Sequence, residues 1–177
     1  MSLAYDALDA AFRALPAPPK DSGTVAVVVV RPGTEKRETP DRCALTPEGG
    51  LAGDRWGKNA GASPDNQITL MRADFGRLVA DGKPLSLFGD NLVVDLDLSE
   101  SNLPAGTRVR IGTALCEVTP KPHTGCAKYS ARFGPDALEF VNGPVNKAER
   151  LRGIHVRVLE PGEVATGDAI QVLSRPA

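Results

Sequence analysis

At 177 residues, 41% of them hydrophobic and 24% charged, the chain is long enough for one domain with a buried core. Its formal net charge of −1 excludes a global field that would recruit nucleic acid or an anionic membrane, so any anion site has to be local. Three cysteines, Cys43, Cys116 and Cys126, with no CxxC spacing, argue against a disulfide framework and for a reducing compartment, expected to be the cytoplasm.

The chain has 18 glycines and 15 prolines, above the roughly 12% that the two make up on average, which predicts many turns between short strands. The first residues lack the basic start and apolar core of a signal peptide. No apolar run approaches the roughly 20 residues that span a bilayer, so no membrane partner is expected.

In chain order, Tyr5, Leu8, Phe12 and Leu15 mark one face of a helix over residues 2–15, ended by Pro16 and Pro18. Residues 1–20 are assigned to this helix and a proline-rich linker, and residues 21–177 to the main domain. The helix should pack on the outside of that domain. Residues 24–30 are rich in β-branched residues and read as a buried strand. Arg31, Pro32 and Gly33 turn the chain, and residues 37–45 return as a second strand, placed near an edge by Pro40. Gly49, Gly50 and Gly53 then make a tight turn from which Asp54, Arg55 and Trp56 project.

Residues 67–71 are a strand and residues 72–80 a short helix stopped near Gly82 and Pro84. A strand follows over residues 89–94. Residues 108–111 and 114–118 are two more, joined at Gly112 and Thr113. Residues 136–141 form a brief helix with Pro135 at its start. Residues 154–159 alternate cleanly, residues 163–166 extend, and residues 169–173 are the last strand. Many short strands and only brief helices predict a mainly β fold, a mostly antiparallel barrel. There is neither a GxGxxG nor a GxxxxGK[ST] phosphate loop.

The stretch most suggestive of chemistry is residues 119–134. Pro120, Pro122 and Gly125 stop any regular ladder and place Cys126 in a loop just past a strand end. No Asp or Glu occurs between Glu117 and Asp136, while Lys121, His123, Lys128 and Arg132 do. Nearby cations favour the thiolate, the form that attacks electrophiles and binds soft metals. The plain alternative is an inert cysteine in a solvated basic loop. A zinc site is poorly supplied, because His123 and His155 are the only histidines. A Cys–His nucleophile would lack an orienting carboxylate near it in sequence.

Several segments, in order, resemble the MOSC family, named for the C-terminal domain of molybdenum cofactor sulfurase. They are Gly50-Leu-Ala-Gly-Asp-Arg55, Phe88-Gly-Asp-Asn-Leu92, Gly106-Thr-Arg-Val-Arg-Ile-Gly112, the stretch from Glu117 to Cys126, and Arg152-Gly-Ile-His-Val-Arg-Val-Leu-Glu-Pro-Gly162 with Gly167-Asp168. Each is weak alone. Together they cover roughly residues 25–173. One departure is the approach to the cysteine, Pro122-His-Thr-Gly-Cys126 where the family often has an Arg-x-Pro-Cys type segment.

The resemblance implies a stand-alone, bacterial-type MOSC β-barrel with a few short helices. It also implies a molybdenum cofactor (molybdopterin), with Cys126 as metal ligand and catalytic residue. The family's large sulfurases carry a pyridoxal-phosphate domain, for which this chain has no room. Thiolate suits molybdenum, and Arg and Lys suit the pterin phosphate, from Arg55, Lys121, Lys128, Arg132 and Arg152, with His123 beside them. Asp54 and Asn91 hold pterin N–H groups or simply fix loops. The leading expectation is reduction of N-oxygenated small molecules with electrons from a partner protein. The alternatives are a non-enzymatic cofactor carrier, a sulfur carrier holding a Cys126 persulfide from a donor protein, and a protein-binding barrel with an idle cysteine.

Overall fold

The computed structural model describes residues 3–177. Its strands in chain order are β1 (Ser22–Val28), β2 (Arg42–Thr46), β3 (Gly50–Leu51), β4 (Ile68–Arg72), β5 (Leu92–Asp95), β6 (Arg108–Ile111), β7 (Ala114–Val118), β8 (Ile154–Glu160), β9 (Gly162–Ala165) and β10 (Ala169–Ser174). The α-helices are α1 (Tyr5–Arg13), α2 (Ala73–Ala80), α3 (Ala127–Phe133) and α4 (Pro135–Asn142). Seven strands close a barrel in the order β1-β10-β6-β7-β8-β4-β5, and β3-β2-β9 form a separate small sheet. The mainly β, MOSC-type barrel expected from the sequence is the fold observed.

Barrel neighbours are antiparallel except β4 and β5, which run parallel and are linked through α2. A parallel pair needs such a crossover, and α2 supplies it on the outer face. Alternation sets the facing of each strand. In β7, Ala114, Cys116 and Val118 are interior, and Cys116 sits opposite Val109 of β6. In β4 both faces are buried: Ile68 and Leu70 point into the barrel, and Met71 into a second, helical core.

That second core explains why the Val25–Val28 end of β1 is apolar without alternation. Val25 and Val28 fill the barrel, while Ala26 and Val27 pack against the helical layer, with a register shift between Val25 and Val27. The layer is built by Leu8 and Phe12 of α1, Phe75 of α2, Tyr129 and Phe133 of α3, and Phe140 of α4. Phe140 stacks on Phe75 at 5.9 Å and takes Phe12 and Tyr5 edge-on at 5.8 and 5.3 Å. The expected helix over 2–15 begins at Ser2, outside the described residues; within them it runs Tyr5–Arg13 and lies outside the barrel as expected.

Two local expectations are corrected. The strand expected over 37–45 is replaced by a single bridge, Val30 to Glu38, and β2 starts only at Arg42, after Pro40. Its partners are β3 and β9 of the small sheet. Residues 119–134 are not all loop, because α3 begins straight after Cys126.

Phe140 is fully buried at the centre of the aromatic cluster. Phe140→Ala is expected to lower unfolding free energy by about 3–5 kcal/mol, read by denaturant titration.

Candidate functional site

Five segments line one cleft: the loop after β1, the turn at Arg55, the approach to β5 at Phe88 and Gly89, the start of α3, and Arg152 ahead of β8. β4 holds β5 and β8 on its two flanks, with Leu70 opposite both Leu92 and Ile154, so the segments leading into those strands are neighbours. Arg152 is buried and donates from NH1 to Asp90 Oδ2 at 2.5 Å, with its guanidinium 5.4 Å from the Tyr129 ring centroid. Gly153 makes the turn into β8. Its φ is +114, and a Cβ there would lie 2.2 Å from the Leu70 carbonyl oxygen, so no side chain fits.

The opposite wall depends on Asp54. Its carboxylate accepts from Arg31 Nε at 2.8 Å, Arg31 NH2 at 3.0 Å and the amides of Arg31 and Trp56. It also accepts from Asn91 Nδ2 at 3.0 Å. Asn91 Oδ1 in turn takes Arg31 NH2 and the amide and hydroxyl of Thr69. Asp54 does not project from the turn, as its sequence context suggested; its side chain is 1% exposed. Asp54 and Asn91 are absent from the cleft lining, and their hydrogen bonds go to other parts of the chain. They hold Arg31, which does line the cleft.

Arg31, Lys36, Arg37 and Arg55 therefore face Lys128, Arg132 and Arg152 across the cleft that also contains Cys126. Burial, followed by the neighbouring Arg132 guanidinium, presses the Arg37 pKa down from the ordinary arginine value. The Nε atoms of Arg37 and Arg152 and the Tyr129 hydroxyl are buried with no hydrogen-bond partner. Such groups are costly unless something accepts from them. The acid-free surroundings read along residues 117–136 do not persist in three dimensions. Glu35 reaches over to Lys128 Nζ at 3.1 Å and Arg132 NH2 at 2.5 Å.

Cys126 is the exposed cysteine of the three and occupies the position just before the first turn of α3. Its pKa is lowered chiefly by the backbone amide of Tyr129, partly opposed by burial. The Lys128 amide and then the charges of Arg152 and Arg132 add to the lowering. Backbone and distant Arg152 thus contribute where the sequence suggested side-chain cations alone. Burial raises the Cys116 thiol to about 12 and also raises the Cys43 thiol.

Of the residues singled out in the sequence, Cys126, Arg55, Lys128, Arg132 and Arg152 share this cleft. Lys121 and His123 line a different cavity, of about 450 Å³, floored by Val141, Pro144 and Ile154. His123 stands between the two: its Nδ1 is 3.5 Å from Asp90 Oδ1, and its ring is 4.6 Å from that of His155. Burial first, then Arg152 and His155, hold the His123 pKa well below the usual histidine value, and burial also lowers that of His155. Sequence reading missed Arg31, Glu35, Lys36, Arg37, Asp90 and Tyr129. The run Glu35-Lys36-Arg37 next to a strand end was the available signal.

The family model described as "MOSC domain" matches residues 62–171. The chain belongs to the MOSC family. It is 35% identical over 97 residues to the uncharacterized protein YflK of Bacillus subtilis, a match covering 52% of this chain and 40% of that relative's length. The crystal structure of YiiM from Escherichia coli superposes with a TM-score of 0.58 at 25% identity, covering 87% of this chain and 71% of that one. The YuaD protein of Bacillus subtilis shares the fold with a TM-score of 0.60 at 18% identity, covering 88% of this chain and 97% of that one. No helix among the described residues of this MOSC protein is long and apolar enough to cross a membrane.

Two outcomes follow for the titrating groups. Alkylation at pH 7, followed by mass spectrometry, should label Cys126 first and Cys116 last, with rates differing by more than about tenfold. Equal labelling of Cys43 and Cys126 would contradict an activated thiol. In addition, His123 and His155 are neutral at pH 7 in the folded chain, whereas unfolded histidines titrate near 6.5. Below that value the unfolded chain binds more protons, so stability falls as pH drops, by up to about 1.4 kcal/mol per pH unit for each histidine. The melting temperature should decrease from pH 7 to 5.5, and His123→Asn should flatten that slope.

Proposed function

We propose that this MOSC protein binds molybdenum cofactor in the Cys126 cleft and reduces N-oxygenated small molecules with electrons from a partner protein. The observation carrying this reading is an exposed, thiolate-favouring cysteine in the same cleft as seven cationic side chains. The residues fit the group in three respects. A thiolate is a soft donor, suited to molybdenum. The unpartnered Nε atoms of Arg37 and Arg152 and the Tyr129 hydroxyl are donors awaiting an acceptor of the phosphate or pterin kind. Among the described residues no three His, Cys, Asp or Glu side chains gather to hold a bare ion, so a metal here needs an organic ligand of its own.

In this reading Cys126 would ligate the metal. Arg37, Arg55, Lys128 and Arg132 would hold the cofactor's phosphate, a group that guanidinium forks suit. Arg152 is fixed by Asp90 and Tyr129, so it presents its charge without rearranging. Phe88 and Tyr129 form the apolar side of the cleft. When bound, the cofactor supplies two-electron redox chemistry at molybdenum. The chain carries no flavin, haem or iron–sulfur motif, so electrons come from outside it. The exposure of Cys126 favours one second reading, a carrier that holds sulfur as a Cys126 persulfide. Either role suits a reducing compartment such as the cytoplasm.

The test is anaerobic purification with molybdenum and pterin analysis, wild type beside variants. Cys126→Ala should abolish reduction even where some cofactor is retained. Neutralising Lys128 or Arg132 should weaken cofactor binding by about 1–3 kcal/mol, the scale of a charge-assisted hydrogen bond. Neutralising Arg132 should also raise the pH needed for Cys126 alkylation, since losing that charge raises the thiol pKa. Wild-type cofactor content and activity in Cys126→Ala would overturn the assignment.

A further inference from the structure

We propose that Glu35 is a built-in competitor anion, its carboxylate sitting on the cations that a phosphate-bearing ligand must claim, so that it sets an affinity threshold for the cleft. The proposal rests on the reading of this cleft as a phosphate site and adds a residue that works against occupancy.

Among the described residues lining the cleft, Glu35 is the acid. Asp54 and Asp90 stand behind Arg31 and Arg152 as their fixed partners. Glu35 instead lies on the ligand side. One oxygen accepts from Lys128 Nζ at 3.1 Å, the other from Arg132 NH2 at 2.5 Å, and Arg37 NH1 is 3.7 Å away. These bonds link the loop after β1 to α3, across the cleft. The loop is closed at its base by the paired amides and carbonyls of Val30 and Glu38 and turned by Lys36 N to Gly33 O. Glu35 itself has φ +56, a left-handed conformation unusual for a side-chain-bearing residue.

Its contact with Lys128 is of a displaceable kind. The Glu35 and Lys128 side chains are 53% and 59% exposed, and ion pairs this open to water contribute little to folding. The cation beneath stays in place without them, because Arg132 NH1 also donates to the Leu87 carbonyl at 3.1 Å. A carboxylate offers a single negative charge. A phosphate end offers more charge and more acceptor oxygens, so it wins the exchange where a monoanion does not.

The experiment is calorimetric titration of inorganic pyrophosphate into wild type, Glu35→Gln and Glu35→Asp at one fixed ionic strength. Glu35→Gln should bind about tenfold more tightly, the exchange of one charge-assisted contact. Glu35→Asp, too short to span both cations, should fall between the two. Adding Arg132→Gln to Glu35→Gln should remove most of the gain. Equal or weaker binding by Glu35→Gln, or no binding by either protein, overturns the proposal; weaker binding would make Glu35 an organiser of the cations.

Thermal melts run beside the titrations check that each variant is folded, which the exposure of Glu35 leads us to expect. Pyrophosphate contains neither pterin nor metal. A gain in Glu35→Gln with no molybdenum taken up by wild type would therefore uphold this proposal and sink the cofactor reading. The reverse pattern would do the opposite.

Discussion

Everything at the cleft depends on keeping several guanidinium groups close together without letting them repel the structure apart. Asp54 carries most of that burden on one wall. Its side chain is almost wholly out of water, which is tolerable only because each oxygen has donors: a forked Arg31, two backbone amides and Asn91. Removing one partner of such a buried pair costs about 3–5 kcal/mol, mostly because the other charge is stranded. The same contacts tie together the end of β1, the turn after β3 and the approach to β5. Local folding and presentation of Arg31 are one event.

The other wall uses the helical layer. α1, α2, α3 and α4 bury one side of the barrel, and Tyr129 and Phe133 anchor α3 in their shared core. Anchoring α3 fixes where its first turn begins, and therefore where Cys126 stands relative to the Tyr129 amide that lowers its pKa. The barrel delivers Arg152 to the same place through β8, with Gly153 permitting the backbone to pass the Leu70 carbonyl. Aromatic packing on the outside of the barrel thus sets the reactivity of one thiol at the cleft.

The sequence carried the strand pattern well where alternation was clean, as in β6 and β8, and the MOSC segments marked Arg55, Cys126 and Arg152. It carried the site less well for two physical reasons. Contacts such as Glu35 with Arg132, 97 residues apart, depend on tertiary closure that no local spacing encodes. Asp54 read as a surface residue because a glycine-rich turn is usually exposed, yet the turn is folded inward onto Arg31. α3 was missed because it is one short helix of seven residues between two glycines, held by burial of Tyr129 and Phe133 more than by propensity. Lys121 and His123 line the second cavity instead, since sequence proximity to Cys126 says nothing about which face of the chain they leave from.

A chain with a net charge of −1 thereby gathers seven cations around one thiol. The three acids that meet this cluster do so in two ways. Asp54 and Asp90 are buried, geometrically fixed and spent on single guanidinium groups, so they orient charge without cancelling the field in front of it. Glu35 is solvent-facing and shared among Lys128, Arg132 and Arg37, and its pKa is lowered to about 2, first by its hydrogen bond to Lys128 and then by that to Arg132, so it remains anionic throughout the physiological range. Buried acids here act as scaffolding, and the exposed one acts on the ligand's own ground. That division lets the cleft be strongly cationic toward an incoming anion while its arginines stay ordered.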